Sequence, residues 1–142
     1  MNRRRDAFTL VEILIVVAIM ALLAAAVIPQ FTVSVRDAQE ASAIFQLHAL
    51  RSEMELYKAQ HNGNPPIVFA LLSEKTNSDH TTSGTPLLGP YLHRVPENPL
   101  NGQSAVKAIS GTPVADTSGA VGWLYDQSTG KLYINDAAFV TE

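Results

Sequence analysis

Few residues in this chain of 142 are arranged to do chemistry. The four histidines, His48, His61, His80 and His93, show neither the HxH nor the HxxxH spacing that brings two imidazoles onto one metal. They read as solvated or helix-end side chains. The late carboxylates Asp116, Asp126 and Asp136 stand ten residues apart each time, too scattered for the oxygen-rich loop that a hard cation needs. No metal site is expected. Cysteine is absent, which excludes thiolate catalysis, cysteine zinc sites and disulfides. No G-x-S-x-G, P-loop or paired catalytic acid pattern occurs either. Tyr91, Trp123, Tyr125 and Tyr133 could form a carbohydrate-stacking face, but aromatics in a hairpin that covers a helix are more often core. The residues therefore argue against an enzyme, with no catalytic group and no cofactor. One side chain still needs a chemical explanation, and it is Glu12.

Glu12 lies in a segment built to enter a membrane. Residues 13–28 are all Ile, Leu, Val, Ala or Met, and residues 8–28 as a helix would span about 31 Å, close to the ~30 Å hydrocarbon core. Arg3, Arg4 and Arg5 precede this tract and read as a positive-inside signal. Three readings are open: a plain signal-anchor, a signal peptide cleaved at Ala24, Ala25 and Ala26, or a cut between Ala7 and Phe8. The first two leave a carboxylate in the apolar stretch without a partner, where it is costly. The third creates an α-amino cation on Phe8 about 6 Å along the helix from Glu12, able to neutralise it within one chain or between staggered neighbours.

The remainder is a small polar head. The chain carries a net charge of -3, and loss of residues 1–7 would leave -5, so nucleic acid is not an expected partner. Pro29 falls inside a continuing helical pattern and should kink it. Beyond it, Ala43, Leu47, Leu50, Met54 and Tyr57 recur at helical spacing, and Asn62-Gly63 followed by Pro65-Pro66 should end the helix. Residues 67–74 suggest two further helical turns, residues 76–85 an exposed loop, and residues 89–102 an irregular proline-rich loop anchored by Tyr91, Leu92 and Leu100. Strand signals come late: residues 105–109, then a hairpin of residues 122–126 and 131–135 about the turn 127–130, one face covering Leu47, Leu50 and Met54.

The string RRRDA followed by FTLVEILIVVAIMALLAAAVIPQF resembles the class III signal of type IV pilins and type II secretion pseudopilins. The likeness is specific through Arg36, and the order of short helix, GPYL turn, proline-rich loop and terminal hairpin resembles the major, G-type pseudopilins. It implies an α+β fold in which a long N-terminal transmembrane helix, from about Phe8 to His61, packs against a small antiparallel β-sheet head. It implies a leader at residues 1–7, a transmembrane and polymerisation helix at residues 8–35, and a periplasmic head at residues 36–142. A prepilin peptidase would cut between Ala7 and Phe8 and N-methylate Phe8, and Glu12 would neutralise the N-terminus of a neighbouring Phe8 during assembly. Two departures stand out: Ala7 replaces the family's usual glycine before the cut, and the family's calcium-binding acidic loop has no counterpart.

The implied role is a structural subunit of a type II secretion pseudopilus, single-pass in the bacterial inner membrane with its N-terminus cytoplasmic. It would assemble as a homo-oligomeric filament, with minor pseudopilins and the inner-membrane assembly platform as further partners. A type IV or competence pilus subunit is the alternative within the family. A membrane-anchored ligand-binding module is the alternative outside it.

Overall fold

The computed structural model describes residues 8–140. Its contacts fall into two units that divide between Ala38 and Gln39. The first is wholly helical from Leu10 onward and belongs to α1, which spans Leu10–Gln60. From Phe8 to Ala38 every side chain is exposed, and this is the stretch apolar and long enough to cross a membrane. Pro29 sits inside the helix and does not end it. It lacks the N–H that would reach back one turn. Just beyond it, the Thr32 hydroxyl donates to the Ile28 carbonyl at 3.3 Å and the Ser34 hydroxyl to the Gln30 carbonyl at 3.1 Å, so hydroxyl groups meet main-chain acceptors where water would be scarce.

In the second unit the helix becomes amphipathic, and the expected stripe of Ala43, Leu47, Leu50, Met54 and Tyr57 is the buried one. The helix closes as its Asn-Gly signal suggested. Asn62 and Gly63 both take left-handed conformations, at φ 58° and 83°, and the Gly63 N–H donates to the Lys58 carbonyl at 2.8 Å. Facing the stripe are a 3-10 helix, Phe69–Ser73, and a three-stranded sheet of β1 (Val106–Ile109), β2 (Trp123–Asp126) and β3 (Lys131–Ile134). All four residues of β2, the central strand, are buried. Arg51 ties the helix to the sheet edge, donating from Nε and Nη2 to the Leu132 carbonyl at 3.2 and 2.9 Å.

The α+β class and the hairpin agree with expectation, but the sheet is mixed rather than antiparallel. Strands β2 and β3 pair antiparallel, from Trp123 with Ile134 to Asp126 with Lys131. Strand β1 runs parallel to β2, Val106 opposite Trp123 and Ile109 opposite Asp126. Parallel pairing requires the chain to return to its starting end, and residues 110–122 make that return without a helix. Asn135 holds the crossover: its Oδ1 accepts from the Asp116 N–H at 2.6 Å, while its Nδ2 donates to the Asp116 and Val121 carbonyls at 3.0 and 2.6 Å. Lys107 of β1 forms an ion pair with Asp116 on the same crossover.

Two local expectations are corrected, and the preference for core aromatics over a stacking face is upheld. Residues 67–74 form one short 3-10 helix and not two α-turns, being hemmed in by Pro65-Pro66 and by extended backbone at Val68 and Glu74. Thr76 is fully buried and not part of an exposed loop, since it forms a two-way main-chain bridge with Leu88. Trp123 and Tyr125 are core rather than a stacking surface, their polar tips donating to the Pro96 and Pro66 carbonyls. Tyr91, Leu92 and Leu100 do anchor the proline-rich loop, with the Tyr91 and Leu92 N–H groups sharing the Leu72 carbonyl.

Candidate functional site: the start of the apolar helix

The helix begins one residue after Thr9, and Thr9 and Glu12 close its end reciprocally. The Thr9 Oγ1 accepts from the Glu12 N–H at 3.2 Å, and Glu12 Oε2 accepts from both the Thr9 N–H at 2.9 Å and the Thr9 hydroxyl at 2.8 Å. This is a capping box, Thr-x-x-Glu, in which two orphan N–H groups at a helix start are satisfied by side chains. The string T-L-V-E carries that signature. Reading Glu12 only for its charge missed it.

The geometry gives Glu12 a partner inside its own chain. A carboxylate at this depth is tolerated because it accepts hydrogen bonds at the positive end of the helix. Only Oε2 takes part in the box, so the cap and a second, charged partner do not compete for the same oxygen. Phe8, next to the cap, is highly exposed at 82%. Its main-chain nitrogen lies one residue from the groups that Glu12 already holds. Ala7 and the leader at residues 1–7 lie outside the described residues.

The other chemical candidates are spent on the head's own turns. Asp126 accepts from the Ser128 N–H and hydroxyl and from the Thr129 hydroxyl, which closes the hairpin turn and, Ser128 first, holds its carboxyl below the usual range. Asp116 is held well below that range by Lys107 and then Ser118. Asp136 accepts from the Ala138 N–H. The three aspartates thus serve three separate turns, and among the described residues no three His, Asp or Glu side chains converge on a metal position. His61 departs most from expectation. It stands at the helix end but is fully buried, stacked on Tyr57.

Comparison with known proteins bears on the same segment and on the head. A family profile described as "Prokaryotic N-terminal methylation motif" matches residues 2–28, the interval that includes Ala7, Phe8, Thr9 and Glu12. The chain is similar to the type II secretion system core protein G of Aeromonas hydrophila, 29% identical over 101 residues, covering 69% of each chain. The protein of the same name from Dickeya chrysanthemi is 31% identical over 101 residues, 70% of this chain and 65% of the relative. That from Vibrio cholerae serotype O1 is 28% identical over 100 residues, 68% and 66% of the two chains. The chain thus spans about two thirds of the length of these relatives. No solved structure matches it. A prepilin-type methylation motif and relatives named type II secretion system core protein G, near 30% identity over about 70% of the chain, make this chain similar to the type II secretion pseudopilins.

Proposed function

We propose that the protein is a structural subunit of a type II secretion pseudopilus. A prepilin peptidase cleaves it between Ala7 and Phe8 and methylates the new Phe8 amine. Its apolar helix then holds it in the inner membrane, leader side in the cytoplasm and head in the periplasm, until it joins a homopolymeric filament on an inner-membrane platform with minor pseudopilins. The observation that carries this reading is Glu12, the single carboxylate of residues 8–36, fixed by Thr9 at the very start of the helix. A plain anchor needs the cap, which a glutamine also closes, but has no use for a charge there. A subunit that must lift its cationic N-terminus out of water beside a neighbour does, because breaking an ion pair in low dielectric leaves an uncompensated charge.

The test is to express wild type and Glu12→Leu with the cognate assembly machinery and to compare sheared filaments with membrane-retained subunit. The substitution removes a costly group from the membrane segment, so insertion should be unchanged or better. Filaments should be lost while processed monomer accumulates. Equal filament yield would refute the pairing role, and a failure to insert would show Glu12 acting earlier.

A further inference from the structure

The C-terminal end of α1 carries an aromatic and histidine stack that the filament reading does not use. Tyr57 and His61 stack nearly parallel, with ring centroids 3.7 Å apart and planes 3° apart. His80, from the loop that begins after Thr76, lies over the same pair, 5.0 Å from His61 and 5.7 Å from Tyr57. Tyr91 meets the pair edge-on and donates its hydroxyl to Gln60 Oε1 at 2.7 Å. Every polar atom of the buried His61 is engaged, Nδ1 with the Tyr57 carbonyl at 2.8 Å and Nε2 with the Thr76 hydroxyl at 2.9 Å.

The hydrogen bonds decide which ring can take a proton. His61 Nδ1 faces a carbonyl and so donates, while its Nε2 faces a hydroxyl that can either give or accept a proton. His80 differs, because its Nδ1 lies 2.7 Å from the Tyr57 hydroxyl. Burial, and secondarily Tyr91, push that phenol up to about 12, so it remains protonated and donates. His80 is then neutral with its proton on Nε2. A second proton would place a donor against a donor and a cation against the His61 ring. The groups facing His80 are Tyr57 from α1, His61 from the turn that follows it, Asp79 from its own loop, and Tyr91 across the pair. Asp79 alone would favour the charged ring, and it is engaged with the Thr81 N–H and hydroxyl.

We propose that His80 is an acid-sensitive catch: neutral, it pins the 77–87 loop to the C-terminal end of α1, and its protonation releases that loop. At its base the loop is also fastened by the two-way main-chain bridge between Thr76 and Leu88, at 2.9 and 3.0 Å, and by the Thr76 hydroxyl on His61. Burial first, then His61, lowers the His80 pKa from its ordinary 6.5. With a lowered pKa in the closed state, the open state binds more protons. Closure is therefore fully favoured above pH 6.5 and is lost as pH falls through the closed-state value. Opening uncovers Tyr57 and His61, an aromatic surface at the tip of the helix that the neutral protein keeps covered.

The experiment uses the full-chain protein in detergent micelles, with His80 ring titration by NMR and amide-exchange protection at Thr76 and Leu88. Between about pH 7.5 and about pH 5.5 the protection of both amides should fall by about threefold or more, while residues in the hairpin keep theirs. The fall and the His80 ring titration should share one midpoint, below 6.5. In His80→Asn, which suits the left-handed backbone of this position (φ 68°) and does not titrate, protection should no longer vary with pH. Protection that is flat in wild type, midpoints that differ, or an unchanged pH dependence in His80→Asn would each overturn the proposal.

Discussion

At the scale of single residues, Thr9 and Glu12 divide two tasks between one carboxylate. The cap accounts for how a lone acid survives at the start of an apolar helix, and the proposed pairing with a Phe8 amine would account for its charge. Removing only the hydroxyl separates them. Thr9→Val should leave the charge in place and weaken the helix start by about 1 kcal/mol, seen as roughly fivefold faster exchange of the Glu12 amide. Exchange unchanged from wild type would mean that the reciprocal bonds contribute nothing. In the head, Asn135 does comparable work on the crossover. Asn135→Ala takes the side-chain partner from both the N–H and the carbonyl of Asp116, while the Val121 carbonyl keeps Asn101 Nδ2, and the chemical-denaturation midpoint of the head should drop by the equivalent of about 2 kcal/mol or more. A change within error would move the hold on the crossover to Lys107 and Asp116.

At the scale of elements, the parts legible in the sequence are those whose signal is local. The stripe from Ala43 to Tyr57 repeats at helical spacing, and the hairpin carries two β-rich runs about a four-residue turn, so both stand where they were expected. The direction of β1 was not legible. It depends on the route of residues 110–122, and that route is held by Asn135 and Lys107, each remote in sequence from what it binds. The burial of His61 was hidden for the same reason, since its neighbours Thr76, His80 and Tyr91 arrive from two other segments. The Thr9–Glu12 box was legible in four letters, but the charge of Glu12 drew the reading toward a distant partner.

The tightest fit between elements is at Gly122, where β2 begins. A Cβ there would come 1.9 Å from the Gln103 carbonyl oxygen and 2.7 Å from its carbon, both main-chain atoms that cannot swing aside. Gly122→Ala should destabilise the head by about 3 kcal/mol or more and broaden the hairpin signals together. A near-neutral result would mean that the main chain around Gln103 moves freely. The late aspartates lead to a prediction about metal. Because Asp116, Asp126 and Asp136 serve separate turns, thermal melting of the full chain should coincide in chelator and in excess calcium. A rise of several degrees with calcium would reveal ligands beyond these carboxylates.

At the scale of the molecule, the chain joins an exposed apolar helix to a head that needs neither disulfide nor repeat to form a core. The helix leaves a run of large apolar side chains uncovered from Phe8 to Val35, far more than water tolerates on a free subunit. A bilayer covers such a surface, and so do copies of the same helix. We propose that one chain passes between those two environments, and that the passage begins with the cut that frees the Phe8 amine beside the Glu12 cap. Intact-mass analysis of the membrane-extracted protein tests this most directly. The account predicts a mature chain that begins at Phe8 and carries one added methyl group. A chain that still begins at Met1, or one that begins at Val27 after cleavage at the alanine run, would contradict it.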